Sequence, residues 1–384
     1  ARAAHRASAF VGRGALVELT SEADDAALGI VRRRVILPSR NLWLVESAAD
    51  AEDGLALAAR LQRRVEFGAS VKQALPDLYF PRRAHAPAND PRFAGQWFLQ
   101  RIGIETAWDL QRGSADVTVV VIDNGCDLQH PDLVNKLDQG KDVIDGDEDP
   151  SYVPNANGNN HGTACAGLVG ASTDNQLGIA GVCPNCRVRC VRLLPDDPMG
   201  LVPISADADA FAFALSVNAA VTSNSWGFTE AIAVPEMLKD AIETVHRDGR
   251  GGLGMLVVFA AGNDDRELLD EELNAVPGVI TVGAVNNFGE VAQFSNFGKS
   301  VAVVAPLGTL TTDITGADGS DPGDYTSLFG GTSSACPLVA GLFGLMVSAA
   351  PTKTAAELEQ VLVDTAVQSI FATPDPMGHD LYYG

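Results

Sequence analysis

From residue 93 onward, short runs of Val, Ile and Leu alternate with stretches of helical period, and this alternation restricts the fold more than any other feature of the chain. VTVVVID (117–123), RVRCVRLL (187–194), AVTSNSW (220–226), GMLVVFAAGN (254–263) and VITVGAV (279–285) have strand length and strand composition. A strand that is apolar on both sides must be covered on both sides. HGTACAGLVGA (161–171), ADADAFAFALSVNAA (206–220) and residues 236–247 supply helices to cover them. The expectation is an α/β fold of three layers, a mainly parallel sheet between helices. In such sheets catalytic groups gather at the carboxyl ends of the strands.

Residues 1–80 read differently. GALVELT (14–20) and NLWLVES (41–47) are strands, DGLALAARLQRR (53–64) is an amphipathic helix, and VKQALPDLYF (71–80) closes a small α+β unit. PRRAHAPANDPR (81–92) is proline-rich, basic and aperiodic, so it reads as a linker to a large unit spanning 93–384. Charge divides near the same place. Residues 1–83 hold 13 Lys+Arg and 10 Asp+Glu, a net +3, while the remainder holds 14 and 39, a net −25. A strongly acidic large unit argues against a nucleic-acid partner. The longest apolar runs are broken by Gly, Ser or charge, so no membrane span is expected. The chain opens ARAAHR, and a targeting peptide is expected to be absent or already removed.

Of six cysteines, Cys183 and Cys186 suit either a small disulfide loop or half a zinc site, and no second Cys or His pair completes the latter. Cys126, Cys165 and Cys336 lie among small or apolar residues and are expected to be buried free thiols.

Three polar residues stand at element boundaries. Asp123 ends an apolar strand, where a carboxylate needs a partner unless it merely caps the next turn. His161 opens a helix of small residues, and taken alone would be a surface histidine. Ser333 lies in GGTSSACPLVAG (330–341), where Leu338, Val339, Leu342, Leu345 and Met346 give a helical period and Pro337 suits the first turn. A serine at that helix start meets unpaired N–H groups, which favour an oxyanion but equally describe an N-cap. A serine becomes a nucleophile only when a histidine takes its proton and an acid fixes the histidine tautomer.

VVVIDNG, NNHGTACAG and GGTSSACP, in the order Asp, His, Ser, resemble the three triad blocks of the subtilisin-like serine proteases, and this is the order found in subtilisin itself. Gly-Thr-Ser-Ser-Ala and the preceding TTD look nearer the kexin-like branch. The resemblance implies that Ser333, directly after Gly-Thr, is the nucleophile, that His161 is base and then acid, and that Asp123 orients it. AAGND (260–264) implies that Asn263 donates to the oxyanion. SNSWG (223–227) implies that Ser225, Trp226 and Gly227 line the substrate, with Met199–Leu201, centred on Gly200, as the opposite edge. The acidic residues Asp264, Asp265, Glu267 and Asp270–Glu272 would favour a basic residue before the cleaved bond. A thiol nucleophile, Cys165 or Cys336, is the less favoured alternative.

The same resemblance implies structural calcium, held by Asp90, Asp132, the side-chain oxygen of Asn175 and the carbonyls of Thr173, Leu177 and Ile179. DITGADGSDPGD (313–324) is expected to be a solvated loop. The N-terminal unit resembles a ferredoxin-like pro-domain, a chaperone and inhibitor released by cleavage near Arg82, Arg83 or His85; a permanent N-terminal domain is the rival. The implied protein is a monomeric, secreted or periplasmic zymogen of an endopeptidase acting on protein or peptide substrates. A transpeptidase or processing protease of narrow specificity and an inactive binding module are the alternatives.

Overall fold

The computed structural model describes residues 10–20, 23–48, 52–65, 70–79, 88–154, 160–195, 200–376 and 378–384. The chain forms two compact units, residues 1–85 and 86–384.

In the first unit the elements are β1 (Phe10–Leu19), α1 (Asp25–Leu28), β2 (Ile30–Leu37), β3 (Leu42–Ser47), α2 (Gly54–Val65) and β4 (Val71–Tyr79). The strands pair antiparallel in the order β2-β3-β1-β4, the ferredoxin-like arrangement. Ala15, Val17 and Leu19, every second residue of β1, face Leu57, Ala58 and Leu61 of α2. The two periods, two for the strand and three to four for the helix, bring one apolar face to the other. β2, IVRRRVIL, is an edge strand exposed along most of its length, so it carries no buried alternation from which to read it.

The second unit holds α3 (Trp97–Arg101), α4 (Ile104–Leu110), β5 (Thr118–Asp123), β6 (Leu137–Asp142), α5 (His161–Gly170), β7 (Arg187–Arg192), α6 (Ile204–Ser216), β8 (Val221–Asn224), α7 (Glu236–Gly252), β9 (Leu256–Ala260), β10 (Val279–Val285) and β11 (Val301–Pro306). It ends in a two-residue pairing of β12 (Thr311–Thr312) with β13 (Tyr325–Thr326), then α8 (Thr332–Ala349) and α9 (Ala355–Thr365). β5 to β11 form one seven-stranded parallel sheet in the order β11-β10-β9-β8-β5-β7-β6. Val119 and Val121 enter the core shared with α5 and α8, and Val120 and Ile122 enter the core shared with α6 and α7. β9 divides likewise, with Leu256 and Val258 on the first side and Val257 and Phe259 on the second. This is the expected three-layer α/β fold.

Three expectations are corrected. Cys126 is not a free thiol: it is bonded to Cys190 of β7, because the chain turns at Gly125 directly after β5 and lies back over the neighbouring strand. Pro337 lies inside α8 rather than in its first turn, because the helix starts at Thr332. A proline there has no N–H for the carbonyl four residues back, which is that of Ser333. Finally, α8 is long and apolar enough to cross a membrane by length and composition; it is mostly buried as the central helix of the larger core. Cys183 and Cys186 are disulfide-bonded, whereas Cys165 and Cys336 are free and buried as expected.

The Cys126–Cys190 bridge closes a loop of 64 residues in sequence. Replacing both cysteines by alanine is expected to destabilise the second unit by about 4 kcal/mol, read from its denaturant midpoint.

Candidate active site

Period-two alternation along β5 puts Asp123 on the same side as Val119 and Val121, the side of α5 and α8. Its carboxylate is 1% exposed. Oδ1 accepts from the Asn124 N–H at 2.8 Å, and His161 Nδ1 lies 2.8 Å from Oδ1 and 3.0 Å from Oδ2. The Asn124 side chain in turn accepts from the Gly162 N–H at 2.8 Å, tying the start of α5 to the end of β5. A Cβ on Gly162 would stand 2.1 Å from the Gly125 carbonyl, so only glycine allows this approach. The ring of Phe329 lies edge-on to His161 at 5.2 Å. With Nδ1 committed to Asp123, Nε2 is the nitrogen left to exchange a proton. Burial disfavours the charged ring, but the charge and hydrogen bond of Asp123 outweigh it and raise the His161 pKa above its ordinary value.

Gly331, with φ of 69°, turns the chain into α8 and leaves Ser333 in the first turn. Its carbonyl, deprived of a helical donor by Pro337, accepts from Ser225 Oγ at 3.0 Å and from the Cys165 thiol at 3.7 Å. Ser333 Oγ itself donates to the Ser225 carbonyl at 3.4 Å rather than to His161. Such a bond is weak, and in unliganded sites nucleophile–base contacts are commonly loose. Ser334 is buried and structural: its hydroxyl donates to the Gly331 carbonyl and accepts from the Gly308 N–H.

Asn263 follows β9. Its Oδ1 accepts from the Thr332 N–H at 2.8 Å and the Thr332 hydroxyl at 3.1 Å. The side-chain oxygen is therefore spoken for, and the amide nitrogen is the end left for an incoming anion. Thr332 Oγ1 also accepts from the Gly262 N–H at 3.0 Å. Both free thiols are fully buried. Burial, then the Asp123 charge, holds the Cys165 pKa well above the thiol range, and burial pushes Cys336 up to about 11.

A cavity of about 160 Å³ opens beside Ser333 and Asn263, with Ser225, Trp226, Gly227 and Phe228 on one wall. Gly200 is exposed and does not line it, and Met199 lies outside the described residues, as do Arg82, Arg83 and His85. Of the acidic residues expected at its mouth, Asp264 and Glu272 line the cavity. Arg266, which the sequence reading did not single out, grips both carboxylate oxygens of Glu272 at 2.7 and 2.6 Å, and Asp270 pairs with Lys299 at 2.5 Å. The pair with Arg266 holds the Glu272 carboxyl below its usual range.

Asp90 and Asp132 meet the loop 173–179. Asp90 accepts from the Asp174 and Asn175 N–H groups at 2.9 and 3.2 Å. Asp132, fully buried, accepts from Asn175 Nδ2, the Ile179 N–H and the Tyr325 hydroxyl. Neither carboxylate has a basic partner among the described residues. Burial first, then the charges of Asp174 and Asp132, raise the Asp90 pKa against the pull of its two backbone bonds. The carbonyls of Thr173, Leu177 and Ile179 accept no hydrogen bond from a described residue. Two uncompensated carboxylates beside unpaired carbonyls form a hard-oxygen donor set that fits a divalent cation.

The parallel sheet, with an acid at the end of β5, a histidine opening α5 and a serine opening α8, is an arrangement suited to a serine hydrolase. Residues 114–381 match the subtilase family, and the chain belongs to it. It is 36% identical over 297 residues to the thermophilic serine proteinase of Bacillus sp. (strain AK1), covering 77% of this chain and 67% of that one. Thermitase of Thermoactinomyces vulgaris is 32% identical over 286 residues, 72% of this chain and 91% of its own. The calcium-dependent protease of Trichormus variabilis is 28% identical across 87% of this chain, which spans only 54% of that relative's length. Among solved structures, a protease from Pseudoalteromonas arctica superposes with a TM-score of 0.65 at 31% identity, covering 74% of this chain and 93% of that one.

A general base must be neutral to act, so with His161 in that proposed role and its pKa raised by Asp123, kcat/KM is expected to fall as pH drops through a value above the ordinary ~6.5. Asp123→Asn removes the raising cause and leaves the burial. Its acid limb is expected to move to lower pH while kcat drops about 10⁴-fold, read from a pH–rate profile.

Proposed function

We propose that the chain is a serine endopeptidase working through Asp123, His161 and Ser333. The observation that carries this reading is the pairing of an Asp123-bound imidazole with an Asn263 amide whose oxygen is pinned by Thr332, the residue next to Ser333. Ser333 Oγ attacks the peptide carbonyl as His161 Nε2 takes its proton. The imidazolium, stabilised by Asp123, then passes that proton to the leaving amine, and water repeats the sequence on the acyl-enzyme. The Asn263 amide and the Ser333 N–H receive the oxyanion. Losing one such donor costs about 3–4 kcal/mol, a magnitude measured on subtilisin itself. Ser225, Trp226 and Gly227 carry the substrate beside the cavity.

Calcium suits the site of Asp90, Asp132, Asn175 and the carbonyls of Thr173, Leu177 and Ile179. The ion would supply charge compensation and fix the loop 173–179, a structural role. The N-terminal unit is read as a pro-domain that inhibits until cut, and the protein as a secreted zymogen. In support, two relatives are named calcium-dependent proteases, and another is named as an extracellular serine protease.

Three measurements test this. A fluorophosphonate probe is expected to label the wild-type chain and not Ser333→Ala, and the wild type alone is expected to shed its N-terminal unit, seen by intact mass over time. Full-length wild type with labelled Ser333 would leave the protease and remove the self-processing zymogen. In the inert Ser333→Ala background, chelation is expected to lower Tm by several degrees, as loss of a native-state ligand requires. Asp132→Asn is expected to abolish that difference, and an unchanged Tm on chelation would remove calcium from the reading.

A further inference from the structure

We propose that Asn296 is a positioning residue for the oxyanion hole, clamping residues 261–266 so that Asn263 stands where the tetrahedral oxyanion forms. The inference rests on Asn263 being the oxyanion donor.

Asn296 lies in the segment that returns after β10 and is 2% exposed. Its Nδ2 donates to the Ala261 carbonyl at 3.0 Å and to Asp264 Oδ2 at 3.2 Å. Its Oδ1 accepts from the Asp264 N–H at 2.9 Å and the Arg266 N–H at 3.3 Å. Its own N–H donates to the Gly262 carbonyl at 3.0 Å. Both donors and both acceptor sites of the amide are thus spent on one loop, on either side of Asn263 and never on Asn263 itself. The fit is close: Gly262 has φ of 97°, and a Cβ there would stand 2.4 Å from Asn296 Nδ2. Asn263 is held twice, its backbone neighbours by Asn296 and its side-chain oxygen by Thr332.

The residue type follows from the task. Alanine would leave two loop N–H groups and a carbonyl without their buried partner. Aspartate would keep the acceptors, lose both donors and set a second carboxylate against Asp264. Either change loosens the loop, and a displacement of about 1 Å at a catalytic group costs about 10²-fold in rate. A residue that merely stabilised the fold would lower Tm without its effect depending on Asn263.

A double-mutant cycle of Asn296→Ala with Asn263→Ala separates the two. Asn296→Ala is expected to lower kcat about 10–100-fold with KM nearly unchanged, and to lower it no further when Asn263 is already alanine. Asn296→Asp is carried through the same cycle and is expected to behave alike, which keeps the test open if the alanine variant fails to fold. Equal losses in both backgrounds, a loss confined to KM, or wild-type kcat would overturn the proposal. Wild-type kcat in Asn263→Ala alone would instead overturn the oxyanion assignment, and the proposal with it.

Discussion

The active site depends on the side of the sheet to which the last residue of β5 points. Alternation sends Val119, Val121 and Asp123 toward α5 and α8, and Val120 and Ile122 toward α6 and α7. A slip of one residue would turn the carboxylate to the far core and leave His161 without it. The register with β7 along the whole of β5, and with β8 over Val119–Ile122, therefore holds the proposed acid in place as well as the sheet. A buried carboxylate is unstable alone. Here the Asn124 N–H and His161 satisfy it.

From that point the site is assembled by small contacts between element ends. Asn124 fastens α5, Gly162 lets it close in, and Pro337 releases the Ser333 carbonyl to Ser225 and Cys165. Thr332 then reaches the loop after β9, so the proposed nucleophile and the proposed oxyanion donor share one hydrogen-bonded frame. The hydroxyl of Ser333 is the least constrained part of this frame, resting on the Ser225 carbonyl at 3.4 Å.

How much of this was legible in the sequence follows from the physics of each signal. Continuous apolar strands betray themselves, so β5, β7, β8, β9 and β10 and the layers about them were readable. Asp123, His161 and Ser333 were readable because each sits in a block of small residues at an element boundary. β2 and β6 were not, since LDQGKD and IVRRRVIL are mostly polar or exposed edge strands. The partner of Cys126 was hidden because Cys190 is a neighbour only after β7 pairs with β5. Arg266, six residues from Glu272 in a charged loop, looks like solvated surface until the fold pairs the two at the cavity wall. Asn296 carries no local signal, since its partners lie some thirty residues upstream.

The bridge from Cys126 to Cys190 has a consequence for the order in which the site comes into being. It encloses β6, α5 and most of β7 in one covalent ring, with Asp123 just outside its start. The proposed acid and base thus belong to a segment that can be completed early during synthesis. The proposed oxyanion donor, Asn263, follows only after β9, and the proposed nucleophile, Ser333, only with α8. A nascent chain halted before α8 already holds Asp123, His161 and Asn263 but lacks the proposed nucleophile, so on this assignment cutting waits for the last large helix of the core to be delivered.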